Sequence, residues 1–340
     1  TDNIFRIASQ TKAITSVAVM MLYEEGKFLL DDAVSKYIPE FANARVLDSF
    51  IKKDSTFTTV PAKSDITIRQ LLTHTSGIGY AQIGGDAMNA IFAKANVTAG
   101  LGVKEGRQLS TDIKKIAKFP LMHQPGLKWT YGMNTDVLGY LVEVVSGMPL
   151  DRFFATRIFE PLGMKDTYFY LPKEKHARLV TLYEDKEGTL RKIAPEYNFN
   201  GVMVTNYPTT NGTYFSGGGG LSSTTIDYAL FLQMMLNGGV LNGQRLLSGN
   251  TVRMMTMNQI ADIKFGDNKF GLGFGITTEL GSSKMPTPAG VFDWGGAFAT
   301  QYWADPKEKL VGILYRQIWG STHWDADEKF RVLVYQALNN

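Results

Sequence analysis

"FRIASQTKAITSVAVMMLYEEGK", residues 5–27, decides how this chain is read. It joins a Ser-x-x-Lys tetrapeptide, Ser9 to Lys12, to an apolar run that ends at Glu24, Glu25 and Gly26. Ile14, Val17, Ala18, Met21 and Leu22 recur at helical spacing, and Val19 and Met20 widen the stripe. The sequence therefore predicts a helix over 9–25 that is buried on most sides. Gly26 suits the left-handed position that closes a helix. Residues three apart on a helix lie about 5–6 Å apart at Cβ, so Ser9 and Lys12 can touch. A serine hydroxyl becomes a nucleophile only when a neighbouring base takes its proton. A helix N-terminus disfavours an ammonium, which helps such a lysine act as that base.

Taken alone, the tetrapeptide reads as helix punctuation, a capping serine and a surface lysine. It occurs a second time as Ser49-Phe50-Ile51-Lys52, which runs on into Lys53 and Asp54 and reads as solvated surface. The first copy differs in context. Lys12 lies in a helix whose next charge is Glu24, and a lysine there must reach a polar cavity or bear a large burial penalty.

The whole chain has 340 residues, 44% hydrophobic and 20% charged, enough for one large domain or two ordinary ones. Lys and Arg number 35 against 32 Asp and Glu, with no basic arm, which argues against nucleic acid as a partner. With no cysteine, disulfides, zinc–thiolate sites and cysteine nucleophiles are excluded. No apolar run of about 18 residues predicts a membrane span, and no signal peptide is visible. Absence of cysteine suits an exported bacterial protein as well as a cytosolic one; a periplasmic or secreted location is favoured over a cytoplasmic one.

Further helices are predicted at 64–77, at 134–147, from Pro149, and within 216–239, where four glycines lead into a helix capped near Ser223 or Thr224 and stopped by Gly238 and Gly239. Residues 173–213 are polar and irregular. "VFDWGGAFATQYWADP" and "KLVGILYRQ" read as two strands joined by a turn at 305–308. A final helix over 325–338 places Phe330, Leu333, Val334 and Leu338 on one face, suited to covering a sheet. The expected organisation is a mostly helical region over 1–172, a connecting segment over 173–204 and an α/β region over 205–340.

The opening segment, extended to "DDAVSKYIPEF", resembles the first active-site segment of serine β-lactamase-like proteins. These include class C β-lactamases, penicillin-binding-protein-like D-stereospecific peptidases and family VIII carboxylesterases. The likeness continues through "ITIRQLLTHTSGI", "WTYGMNTDVLGYLVEVVSGMPLDRFF", "IFEPLGMKDTYF", "GGGGLSSTTIDYALFLQMMLNGG" and "DWGGAFATQYWADP", in the family's order and over nearly the whole chain. It implies an α+β fold of the β-lactamase/DD-peptidase type, with the helical region packed against an antiparallel sheet flanked by helices.

The resemblance implies Ser9 as the acylated nucleophile, Lys12 as its partner and Tyr131 as the proton-relaying tyrosine. A close ammonium favours a phenolate, so a Lys–Tyr pair can share the base role. It also implies an oxyanion hole at the backbone N–H groups of Ser9 and Ala297, after the triplet Trp294, Gly295 and Gly296. Each such donor contributes roughly 3–4 kcal/mol to a tetrahedral oxyanion.

Two departures mark this chain. Met133 stands where the family's Tyr-x-Asn motif has asparagine, and Asn134 comes one place later, where a shortened turn could still bring it to the substrate. Trp294 replaces the cationic lysine that holds a substrate carboxylate. Both resemble family VIII esterases and related acyltransferases, with Trp129, Tyr131, Trp294, Phe298 and Tyr302 expected to offer an apolar acyl or alcohol pocket. The expected activity is a cofactor-free, metal-free carboxylesterase on short or medium acyl esters. The alternatives are a D-amino-acid peptidase or β-lactamase on the same centre, or a non-catalytic binding scaffold. Family members carry a helix and strands before the nucleophile, and the chain begins eight residues ahead of Ser9. The expectation is that the numbered sequence is a trimmed product, or that a separate N-terminal segment or oligomer partner completes the sheet, or that the sheet is smaller.

Other motifs are absent or bland. No G-x-S-x-G, H-E-x-x-H or P-loop lysine occurs. His74, His123, His176 and His323 are not at metal-ligand spacing, and His74 and His123 read as structural hydrogen-bonders. Asp65, Asp136 and Asp227 read as helix-start residues. Gly217 to Gly220 read as a tight passage near the site rather than a phosphate cradle.

Overall fold

The computed structural model describes residues 2–81, 83–98, 100–198, 202–323 and 325–338. At its centre is helix α1, Thr11–Glu24, on which every residue from 11 to 22 is buried. So apolar a helix has no solvent face, and its few polar side chains must be satisfied from neighbouring elements. They are satisfied by the glycine run. Thr15 Oγ1 donates to the Gly217 carbonyl at 2.7 Å, Lys12 Nζ to the Gly218 carbonyl at 2.6 Å, and Leu221 N–H donates to Thr11 Oγ1 at 3.1 Å. Glycine is required for that approach, since a Cβ at Gly217 would come within 2.6 Å of the Thr135 carbonyl.

Short α2, Ile68–Leu72, begins with a capping box between Thr67 and Gln70. Helix α3, Asn134–Ser146, closes on Gly147 in the left-handed conformation. Helix α4, Thr225–Leu236, is capped by the Thr224 side chain accepting from Asp227 N–H. Together α1, α3 and α4 share one apolar core with the sheet.

That sheet is an antiparallel meander of five strands: β1, Lys269–Phe270; β2, Gly275–Ile276; β3, Phe292–Gly296; β4, Thr300–Asp305; and β5, Leu310–Tyr315. The run read as one strand splits into β3 and β4 at 297–299, where Ala299 adopts φ +58°. Alternation sends Tyr302 to α4, against Tyr228 at 5.1 Å, and Trp303 to the opposite face. There helix α5, Asp325–Gln336, meets it through Phe330 at 5.7 Å.

Helix α5 keeps Phe330 of the expected stripe against the sheet but turns Leu333 of that stripe outward. Its anchors are Asp327 with Arg316, Arg331 with Asp293 at 3.0 Å, and Tyr335 with Asp305 at 2.7 Å. Leu333 is 62% exposed. Three polar anchors at i, i+4 and i+8 set the rotation and override the apolar stripe.

The segment read as irregular also carries structure. Tyr183–Lys186 and Thr189–Lys192 form a hairpin, on which Ile318–Trp319 pairs in parallel, and Glu196–Asn198 pairs with Val202–Val204. These strands are short and largely polar, so they leave no period-two apolar signal.

Candidate active site

Ser9 sits on a single 3₁₀ turn, Ala8–Gln10, that feeds directly into α1. The turn is pinned from behind: the Tyr228 hydroxyl donates to the Gln10 carbonyl at 2.8 Å and the Tyr315 hydroxyl to Gln10 Oε1 at 2.7 Å. Ala8 adopts φ +44°, where a Cβ crowds the backbone. Backbone strain therefore sits immediately before the serine.

Lys12 is 2% exposed, and Nζ donates to three acceptors: the Gly218 carbonyl at 2.6 Å, Ser9 Oγ at 3.2 Å and the Tyr80 hydroxyl at 3.2 Å. Three acceptors match the three N–H donors of an ammonium. The Tyr131 ring faces the same nitrogen at 4.8 Å. The Tyr131 hydroxyl accepts the Trp294 indole N–H at 3.5 Å, and Tyr131 lines the same cleft as Ser9. Ser9, Lys12 and Tyr131 are thus brought together, but the phenol that meets the lysine nitrogen through its oxygen is Tyr80.

Sequence reading missed Tyr80. The quoted motif ended at Ile78, and a tyrosine two residues later in a glycine-spaced loop carries no periodic signal. Burial pushes its phenol well above the ordinary range, with Tyr131 and Asp136 adding to the rise. Tyr80 is therefore a neutral hydrogen-bonding group at working pH.

Asn134, expected beside the substrate, is fully buried at the start of α3. Its side chain takes the Ser76 hydroxyl and reaches His74 Nδ1 at 3.0 Å, bracing the turn that presents Tyr131. His74 is buried too, and burial followed by the Lys12 charge holds its imidazole well below its usual value. It stays neutral and structural. Trp294 packs into an aromatic cluster with Phe270 at 5.3 Å, Tyr131 at 5.6 Å and Trp129 at 6.3 Å. Phe298 is fully buried beneath Ala8 and Met203, and Tyr302 is fully buried against α4.

The expected apolar pocket of Trp129, Trp294, Phe298 and Tyr302 is therefore a packed support. Of the five aromatics expected to form the pocket, only Tyr131 lines the cleft above Ser9. The cleft holds about 780 Å³ and is walled by Phe92, Val97, Leu101, Met203 and Trp319. Its outer end carries Lys104, held by Glu196 at 3.1 Å, and Arg107, held by the buried Asp112 at 2.9 Å. Each cation already has an acid.

Strand β3 delivers Ala297 to the same cleft as Ser9. Strand β2 pairs only with Phe292 and Asp293, so 294–296 presents an edge on that side. A Cβ at Gly296 would come within 2.4 Å of the Ile7 carbonyl, so glycine lets the strand lie directly against the serine turn. Gly295 faces no such backbone obstacle as close. The arrangement places the Ser9 hydroxyl, with the Lys12 amine bonded to it, and the backbone at Gly218, Gly219 and Ala297 at one opening, with no cluster of metal-ligating side chains among the described residues.

A family model described as Beta-lactamase matches residues 1–336. Protein Rv1367c of Mycobacterium tuberculosis is 34% identical over 328 residues, covering 92% of this chain and 77% of the relative. Esterase EstB of Burkholderia gladioli is 27% identical over 317 residues, covering 89% and 74%. The solved structure of EstCE1, described as a hydrolase with promiscuous acyltransferase activity, superposes with TM-score 0.81 at 23% identity. It covers 98% of this chain and 85% of its own, and it shares the fold.

Proposed function

The chain belongs to the Beta-lactamase family of serine hydrolases, and from that premise we propose that it is a carboxylesterase acting on short or medium acyl esters. The observation that carries the reading is Lys12 Nζ at 3.2 Å from Ser9 Oγ on the floor of an apolar cleft. Once the Lys12 ammonium has lost a proton to solvent, Ser9 Oγ attacks the ester carbonyl while its proton passes to the Lys12–Tyr131 pair, with Nζ the group in hydrogen-bond reach of Oγ. The backbone N–H groups of Ser9 and Ala297 receive the oxyanion. Collapse of the tetrahedral intermediate expels the alkoxide, which takes the proton back. Water then repeats the sequence on the acyl-enzyme, with the same pair drawing its proton. Tyr80 keeps the lysine nitrogen in place.

Ester rather than β-lactam or peptide follows from the grips the site lacks. Trp294 stands where a carboxylate-binding lysine is expected, Asn134 is turned inward, and the cleft cations are paired with acids. The likeness to a protein named esterase supports the same choice. Incubation with p-nitrophenyl butyrate and with nitrocefin, beside Ser9→Ala, tests it. Ester turnover that the variant loses, with little β-lactam opening, is the expected result. Dominant nitrocefin hydrolysis would mean that the site handles β-lactams despite Trp294.

A further inference from the structure

Asp136 is a fully buried carboxylate that none of the steps above uses. It lies in the first turn of α3, where capping is the usual role of an aspartate. Instead it turns toward the glycine run. Oδ1 accepts the Ser216 hydroxyl at 2.5 Å and the Gly218 N–H at 3.3 Å. Oδ2 has no hydrogen-bond partner among the described residues. Bare backbone closes over both oxygens: a Cβ at Gly218 would come within 2.2 Å of Oδ2, and one at Gly100 within 2.9 Å of Oδ1.

Gly218 is also the residue whose carbonyl takes the shortest bond from Lys12. One residue thus faces Asp136 with its N–H and the lysine with its C=O. Among the described residues no acid forms an ion pair with Lys12, although the lysine is buried and donates three hydrogen bonds. A buried charge without a counter-charge is costly. A carboxylate buried one residue away, with an oxygen left unbonded, is equally anomalous unless the two balance each other.

We propose that Asp136 is a positioning residue of the serine–lysine centre, fixing the Gly218 carbonyl against Lys12 and supplying the negative charge that balances the buried ammonium. The inference rests on the acyl-enzyme reading. Burial raises the Asp136 carboxyl above its ordinary value on balance, and Lys12, Ser216 and Gly218 pull it only part of the way back. The ionisable groups facing this pair are Tyr80 from the loop after α2, Tyr131 from the turn before α3, Tyr214 from the run into the glycines and His74 at the end of α2. Burial raises the Tyr80 and Tyr214 phenols and lowers His74, so those three stay neutral. Arg107 and Asp112 beyond Tyr214 neutralise each other.

Asp136→Asn keeps the shape and the acceptor for Ser216 and Gly218 and removes the charge. The readout is kcat/KM for p-nitrophenyl butyrate between about pH 5 and 9. A negative charge beside the centre opposes its loss of a proton, so the acidic limb moves to lower pH by roughly one unit in the variant. A folded variant whose limb stays at the wild-type position overturns the proposal.

A second arm needs no turnover. Lys12→Met leaves Asp136 buried and unbalanced, which raises its folded-state pKa further above the unfolded value. Stability is then full at low pH and is lost as pH rises through the folded-state value. The unfolding midpoint of Lys12→Met falls relative to wild type between about pH 4 and 8, and adding Asp136→Asn removes the fall. A Lys12→Met midpoint that tracks wild type throughout overturns the proposal. Because this arm reads stability, failure of the esterase reading leaves it untouched.

Discussion

The chain holds the same Ser-x-x-Lys pattern twice, and the two copies have opposite fates. Ser9 and Lys12 start a buried helix, with the lysine nitrogen bonded to the serine, a tyrosine and a glycine carbonyl. Ser49 lies on the strand Arg45–Ile51, where its hydroxyl meets Thr58 at 2.7 Å. Lys52 extends into solvent and pairs with the exposed Asp86 at 2.8 Å. On a strand, alternate side chains point to opposite faces, so a spacing of three separates what a helix joins. Motif spacing acquires chemical meaning only once the secondary structure and the surroundings of the lysine are known.

The sharpest way to break this contrast is a pair of serine variants. Ser9→Ala is expected to lower ester turnover on the order of 10⁶-fold, as loss of a serine nucleophile does, while Ser49→Ala leaves it unchanged. Steady-state rates on p-nitrophenyl butyrate decide, and a large loss in Ser49→Ala would reverse the assignment. Next in size is Tyr80→Phe, which removes an acceptor from the buried lysine. A hydrogen bond to a charged group contributes about 1.5–3 kcal/mol, so kcat/KM should drop roughly 10- to 100-fold. Full activity in that variant would return the whole role to Tyr131.

Gly218→Ala tests the loop that distinguishes the first copy. Its methyl would meet Asp136 Oδ2, and overpacking of this kind lowers stability by roughly 1–3 kcal/mol. Denaturant titration reads the change, and an unshifted midpoint would show that the loop yields easily. The smallest effect concerns strain. Ala8→Gly relieves a left-handed alanine and should raise stability by roughly 0.5–1 kcal/mol, net of glycine's larger unfolded-state entropy. A lowered midpoint would mean that the alanine methyl contributes more through packing against Phe298 than its backbone loses.

What was legible in the sequence follows the same division. Helices α1, α3 and α4 were readable because their apolar periodicity and their caps at Gly147 and Thr224 are local. Ser9, Lys12 and Tyr131 were legible as a set through the resemblance, and the structure brings them together around one nitrogen. Asn134 and Phe298 were read as substrate contacts, yet both are turned inward, because sequence gives no side-chain direction. The cleft walls come from Phe92, Leu101, Met203 and Trp319, which lie far apart in the chain and share no pattern. The split between β3 and β4 escaped notice because its turn centres on Ala299 rather than on a glycine or proline signal.

The most direct test of the account is to trap the covalent intermediate. Brief exposure to p-nitrophenyl butyrate, acid quench and peptide mass mapping should place a butyryl group on the peptide carrying Ser9, with the Ser49 peptide unmodified. Steady turnover with the acyl group on another residue would contradict the account.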